Sequence, residues 1–116
     1  MRNDKENPIV DKSFKFALGI VEFCDLLYEN RKYVIGQQLL KSGTSIGANV
    51  REAQNAESKA DFIHKIKIAA KEADETEYWL LICKYSKSYP MNEELLTNIN
   101  ELIRILSKII STSKGS

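Results

Sequence analysis

The chain has 116 residues, of which 43% are apolar and 28% charged, with 17 Lys and Arg against 16 Asp and Glu. That is enough for one domain with one core and too little for two. The balance excludes intrinsic disorder, which needs low hydrophobicity and high net charge, and it excludes a globally basic nucleic-acid binder of the histone kind. The longest apolar run covers residues 78–83, far short of the ~20 residues that cross a bilayer, so no membrane association is expected. Residues 1–6 are mixed in charge and no apolar block follows them, so no secretory leader is expected. Cys24 and Cys83 stand in apolar helical context, which reads as two buried thiols in a reducing compartment and hence a cytoplasmic location.

Pro8 and the polar stretches 30–32, 55–58 and 88–92 divide the sequence into four segments of helical periodicity. In the first, Val10, Phe14, Ala17, Val21, Cys24 and Tyr28 follow one another at alternating steps of four and three, with a second row of Phe16, Ile20, Phe23 and Leu27 beside it. In the second, Ile35, Leu39, Ser42, Ile46, Asn49, Ala53 and Ala56 keep the same rhythm. Phe62, Ile66, Ala69, Ala73, Thr76, Leu80 and Cys83 keep it in the third. The fourth has Leu95, Ile99, Leu102, Leu106 and Ile109, flanked by Leu96, Ile103 and Ile110. Such steps place apolar side chains on one stripe of a helix. Ser58, with Asp61 three residues on, predicts the start of the third helix, and Asn92 before Glu93 and Glu94 predicts the start of the fourth. Tyr89-Pro90 separates the two. The expected fold is all-α, an antiparallel up-down-up-down four-helix bundle over residues 9–112, with flexible ends at 1–8 and 113–116.

Two segments fit this scheme awkwardly. The second helix contains Gly36, Gly43 and Gly47, each costing about 1 kcal/mol against Ala. Either residues 42–45 form a loop, or the helix is unbroken and its small residues admit another backbone. The uninterrupted 4-3 rhythm favours the unbroken helix. In the third helix, Ile68, Tyr78, Trp79, Leu81, Ile82 and Tyr85 fall outside the core stripe. A monomer would leave them as an exposed apolar patch. They therefore predict a homo-oligomer built through the C-terminal half of that helix. The alternative is that Trp79 and Leu81 merely flank a broad core.

The search for chemistry is negative. His64 is the single histidine and lies opposite the core stripe, and no Cys-x-x-Cys spacing accompanies it. Glu72, Asp74, Glu75 and Glu77 have no His three residues on, so they make no Glu-x-x-His pair of the di-iron kind. The run 43–49 has glycines separated by three residues and no following Lys, so it is no P-loop. Ser42, Thr44 and Ser45 lack an imidazole base beside them in sequence. No catalytic residue, metal or cofactor is expected, and the chain reads as a non-enzyme. Ser42, Asn49 and Thr76 on the core stripes require buried partners. Together with Glu52 and Glu75 they predict a buried polar layer, with Asn49 paired to Glu52, Glu75 or Thr76; these groups facing a ligand is the other reading.

Charge is distributed unevenly. Residues 31–71 carry 8 basic and 3 acidic side chains, a net of +5, between flanks that are each −2. Arg51, Lys59, Lys65, Lys67 and Lys71, with Lys41 as a weaker candidate, supply a basic surface near the turn between the second and third helices. Phosphate backbones bind such surfaces by counterion release, so RNA, DNA or a nucleoprotein is the expected partner. A solvated basic face with no partner, and a protein–protein scaffold whose basic face meets an acidic protein, are the alternatives.

The chain resembles the small four-helix-bundle proteins encoded within intervening sequences of bacterial 23S ribosomal RNA genes. The resemblance runs from about Phe14 to Ile110 and is most specific in Gln38-Leu39-Leu40-Lys41-Ser42 and in Ser45-Ile46-Gly47-Ala48-Asn49-Val50-Arg51-Glu52. It continues in Asp61-Phe62-Ile63, Ile68-Ala69 and Glu75-Thr76-Glu77. Ala53 stands where the family often has Gly, and Lys41 where it tends to have Arg. The resemblance implies no established catalytic activity. A related group, the accessory protein of diversity-generating retroelements, is a basic pentameric barrel that binds nucleic acid and a reverse transcriptase. By similarity, this chain would form a ring of five subunits and bind RNA or DNA.

Overall fold

The computed structural model describes residues 7–115, and among them it has four helices and no strand. They are α1 (Pro8–Glu29), α2 (Tyr33–Ala53), α3 (Lys59–Tyr85) and α4 (Glu93–Gly115). Of the expected flexible N-terminal segment, residues 1–6 lie outside the described residues. Pro8 is already the first helical residue, where its missing N–H costs nothing. Ser113 and Lys114, expected in a tail, continue α4 as helix.

The helix ends have local causes. The Ser58 hydroxyl accepts from the Asp61 backbone N–H at 3.0 Å, and Asp61 returns the bond by accepting from the Glu57 N–H at 3.2 Å. Asn92 Oδ1 accepts from the Leu95 N–H at 2.9 Å. α1 closes through Arg31, which takes a left-handed φ of 62°. The Lys32 N–H then reaches the Leu27 carbonyl at 2.8 Å and the Arg31 N–H the Tyr28 carbonyl at 2.9 Å. This is the Schellman closure, with Arg where Gly is usual.

α2 is unbroken. Thr44 and Ser45 turn their hydroxyls onto the carbonyls of Leu40 and Lys41, at 2.7 and 2.6 Å, and so leave the helical ladder intact. Its glycines admit α1. A Cβ on Gly43 would stand 2.8 Å from the Ile20 side chain, one on Gly36 2.6 Å from the Tyr28 ring, and one on Gly47 3.2 Å from the Ser13 carbonyl oxygen.

α1 packs on α2 and α4, and α3 packs on the same two helices. α1 and α3 thus face each other across a core built from Ile20, Leu27, Leu39, Ile46, Ile66, Leu80, Ile99 and Leu106. The α3 stripe from Ile66 to Cys83 and the α4 stripe from Leu95 to Leu106 lie in this core as the periodicity predicts, with Phe62 and Ile109 half-buried at their ends.

α1 departs from its predicted stripe. Of that stripe Phe14, Val21 and Tyr28 are exposed and Ala17 is half-buried, while Val10 and Cys24 are buried together with the second row, Phe16, Ile20, Phe23 and Leu27, and with Ile9 and Ser13. Both rows have helical spacing, so periodicity alone does not rank them. The glycine face of α2 decides, because it draws in the row that runs through Ser13 and Ile20.

Candidate nucleic-acid interface

Of the six basic residues singled out from the sequence, two lie together at the surface and two are drawn to acids. Lys67 and Lys71 are one turn apart on the exposed side of α3. Lys65 is half-buried and its Nζ stands 3.1 Å from Glu52 Oε1, an ion pair between α3 and α2. Lys41 stands near Glu72. That carboxyl is pushed above the usual range by burial and then by Glu75, and the Lys41 ammonium draws it partly back. Arg51 and Lys59 are exposed at the end of α2 and the start of α3.

A further cation joins this surface that the sequence reading missed. Lys114, near the end of α4, lies beside Lys67. The adjacent Lys114 side chain is the largest influence lowering the Lys67 pKa; desolvation and the charge of Lys71 follow. Like charges held this close favour an anion between them. The signal for Lys114 was available only through packing: α4 runs beside α3.

Arg51 also borders an apolar cleft of about 320 Å³ between α1 and α2, lined by Val10, Phe14, Ala17, Thr44, Gly47 and Ala48. The sequence reading placed Phe14 and Ala17 on the core stripe; here they wall an open groove.

The expected buried polar layer forms only in part. Thr76 Oγ1 and Ser42 Oγ, both fully buried, are 2.9 Å apart, and Thr76 Oγ1 is 2.7 Å from the Glu72 carbonyl oxygen. Asn49 pairs with none of Glu52, Glu75 or Thr76 in the observed bonds; its side-chain amide donates to the Ser45 carbonyl of its own helix at 2.9 Å. Glu52 and Glu75 are exposed, the first bonded to Lys65 and the second accepting from Trp79 Nε1–H at 3.1 Å. A carboxylate at the rim keeps its hydration, which a buried one would forfeit.

On the expected oligomer surface, Tyr78, Leu81 and Tyr85 are exposed, and Ile68, Trp79 and Ile82 are half-buried. The Trp79 ring packs on the edge of the core and meets the Tyr78 ring edge-on at 5.3 Å. For Trp79 the core-flanking alternative therefore describes its position, while Leu81 and Tyr78 face outward. His64 is exposed. Among the described residues no group of three or more His, Cys, Asp and Glu is placed to hold a metal ion, and no helix is long and apolar enough to cross a membrane.

Comparison with curated proteins gives no match. Among solved structures, the chain is similar to a protein of unknown function from the S23 ribosomal protein family of Bacteroides thetaiotaomicron. The two are 44% identical, with a TM-score of 0.78, over 88% of this chain and 97% of that one. Residues 5–111 match the family described as 23S rRNA-intervening sequence protein. With four helices in the described chain and a match over nearly its whole length, the chain belongs to the 23S rRNA-intervening sequence protein family.

Proposed function

We propose that this protein works without catalysis, as an antiparallel up-down-up-down four-helix bundle. Copies of it form a homo-oligomeric ring of five, and its basic surface binds RNA or DNA. The contacts of Ser13 with Gly47, Ile20 with Gly43 and Tyr28 with Gly36 support the antiparallel course, as do the short connections between helices. Exposed Tyr78, Leu81 and Tyr85 support self-association. The two free thiols suit a reducing, cytoplasmic setting.

The observation that carries the nucleic-acid reading is the convergence of Lys67, Lys71 and Lys114 from two helices onto one exposed surface. Bridging phosphates would relieve the repulsion among these ammonium groups, and their displaced counterions would supply the driving force. Arg51 and Lys59 extend the positive field at the same end of the molecule.

The test is RNA and duplex DNA binding titrated against salt. Affinity should fall linearly on a logarithmic salt axis, and Lys67→Ala, Lys71→Ala and Lys114→Ala should each lower the slope by roughly 0.7 to 0.9 per lost phosphate contact. Absence of binding at low salt, or affinity indifferent to salt, overturns the reading. Capture of a protein partner whose association survives nuclease treatment would favour a protein–protein scaffold with no nucleic-acid role.

A further inference from the structure

α4 outlasts its neighbour α1. Leu95 stands against Gly19, and Glu101 pairs with Lys12 at 3.0 Å. Followed in that order, α1 has only residues 8–11 left, whereas α4 continues through 102–115. Roughly ten residues of α4, or ~15 Å of helix, therefore pass the start of α1. α4 packs on no helix but α1 and α3, so among the described residues this last stretch has α3 alone as its support. The grooves mark the change. One cleft has Lys12 and Phe16 of α1 on one side and Asn98 and Glu101 of α4 on the other. Farther along, an open groove of about 330 Å³ is lined by Ile105, Lys108, Ile109, Thr112 and Ser113, all of α4. The core thins at the same place: Ile99, Leu102 and Leu106 are buried, Ile109 and Ile110 only half-buried. A segment with few buried apolar contacts is the first to open.

What α3 offers this stretch is partly repulsive. Residues 102–115 hold Arg104, Lys108 and Lys114 and no Asp or Glu. Lys114 lies beside Lys67, with Lys71 close by, and the Lys114 side chain is the first cause that holds the Lys67 pKa below its ordinary value. Asp61, the single acid in residues 59–71, is engaged at the cap of α3. Among the described residues no ion pair holds Lys67, Lys71 or Lys114. Apolar packing thus keeps the end of α4 in place against a repulsion at its tip. The three ammonium groups come together only while that end is seated, so an anion that touches all three binds the seated state better than the open one. A ligand shifts an equilibrium by just such a difference in affinity.

We propose that residues 107–115 of α4 are an anion-operated latch: clustered phosphates held between Lys67, Lys71 and Lys114 seat them on α3, and without the anion they part from it. The latch rests on the nucleic-acid reading above and adds what binding controls, the order of one helix end. The coupling is reciprocal, so whatever else seats the end of α4 also strengthens binding of the anion.

The test is amide hydrogen exchange of the full-length protein at low salt, alone, with an RNA duplex and with sodium tripolyphosphate, while binding of each probe is measured in the same buffer. In the free protein residues 107–115 should exchange much faster than residues 95–102 of the same helix. The RNA should slow them by roughly fivefold or more and leave 95–102 unchanged. Slowing by RNA alone assigns the latch to nucleic acid; slowing by either probe assigns it to clustered phosphate from any source. RNA that binds without slowing 107–115 overturns the latch and leaves the nucleic-acid reading standing. Binding of neither probe overturns both. Free protein in which 107–115 exchange as slowly as 95–102 overturns the latch as well. Lys67→Glu gives an independent readout, because it replaces the repulsion with an attraction to Lys114 and to Lys71 one turn on. Residues 107–115 of this variant should exchange more slowly than in the wild type with no probe present, by roughly twofold or more. Exchange as fast as in the free wild type overturns the proposal.

Discussion

Ser42 and Thr76 hold their hydroxyl oxygens 2.9 Å apart inside the contact between α2 and α3, with neither side chain accessible to solvent. Each hydroxyl has one proton. With Thr76 Oγ1 also 2.7 Å from the Glu72 carbonyl, the arrangement that satisfies both is a relay, in which Ser42 donates to Thr76 and Thr76 donates to the carbonyl. Thr76→Val keeps the shape and strands the Ser42 hydroxyl, at a cost of about 1–3 kcal/mol. Ser42→Ala plus Thr76→Val removes both polar groups and should cost less than the sum of the two single changes. Urea denaturation of all four proteins measures the coupling; strict additivity would show that the two hydroxyls act independently.

The glycines of α2 should respond unequally to alanine. A Cβ on Gly43 would come within 2.8–3.1 Å of three atoms of Ile20, which is fully buried and has nowhere to move. Gly43→Ala should destabilise by about 1–3 kcal/mol from overpacking, despite the gain in helix propensity. A Cβ on Gly36 meets the Tyr28 ring, which lies at the surface and can swing aside. Gly36→Ala should therefore cost clearly less. Denaturation midpoints decide, and equal losses would contradict the packing argument.

Arg31 is a site for gain. Its φ of 62° places a Cβ in the left-handed region, where an L side chain is strained by roughly 1–2 kcal/mol. Arg31→Gly keeps both bonds of the Schellman closure and removes that strain, so stability should rise by about 1 kcal/mol. The larger backbone freedom of Gly in the unfolded chain offsets part of the relief. A lowered melting temperature would show that the Arg31 side chain contributes more than its backbone geometry costs.

Burial pushes the Cys24 thiol up to about 12, with smaller contributions from Cys83 and Asp25, and pushes Cys83 up to about 11. Thiol reagents should leave both unlabelled in the folded protein at pH 8 and label both in urea. Between the ordinary thiol value of 9.0 and these raised values, the folded state holds protons that the unfolded state has released. Stability is therefore retained below pH 9.0 and declines as pH rises through the window from 9.0 to about 11 and 12. Substituting Cys24 by Ala should flatten that decline; an unchanged pH slope would assign it to other groups.

The residues of α3 show how much could be read directly. The stripe from Ile66 to Cys83, the Ser58 cap and the outward position of Tyr78 and Tyr85 follow from spacing within one helix, and the structure has them so. The continuity of α2 through its glycines was legible in the same way. α1 was not, because its two apolar rows are equally regular and the choice belongs to α2.

The candidate site divides along the same line. Lys67 and Lys71 were legible as an exposed pair one turn apart on a single helix. Lys114 joins them only through the packing of α4 on α3, and Lys65 leaves them only because Glu52 approaches from α2. Asn49 occupies a core-stripe position by number, yet its amide finds the Ser45 carbonyl of its own helix before any neighbour.

The sequence by itself determined that there are four helices, where α3 and α4 begin, and which faces of α2, α3 and α4 are dry, because periodicity and capping are local properties of a chain. Only the tertiary structure decided which row of α1 is buried, which acids quench which lysines, and which cations share a surface. Those outcomes depend on contacts between helices, and such contacts are set by complementary shape and charge across elements far apart in the sequence.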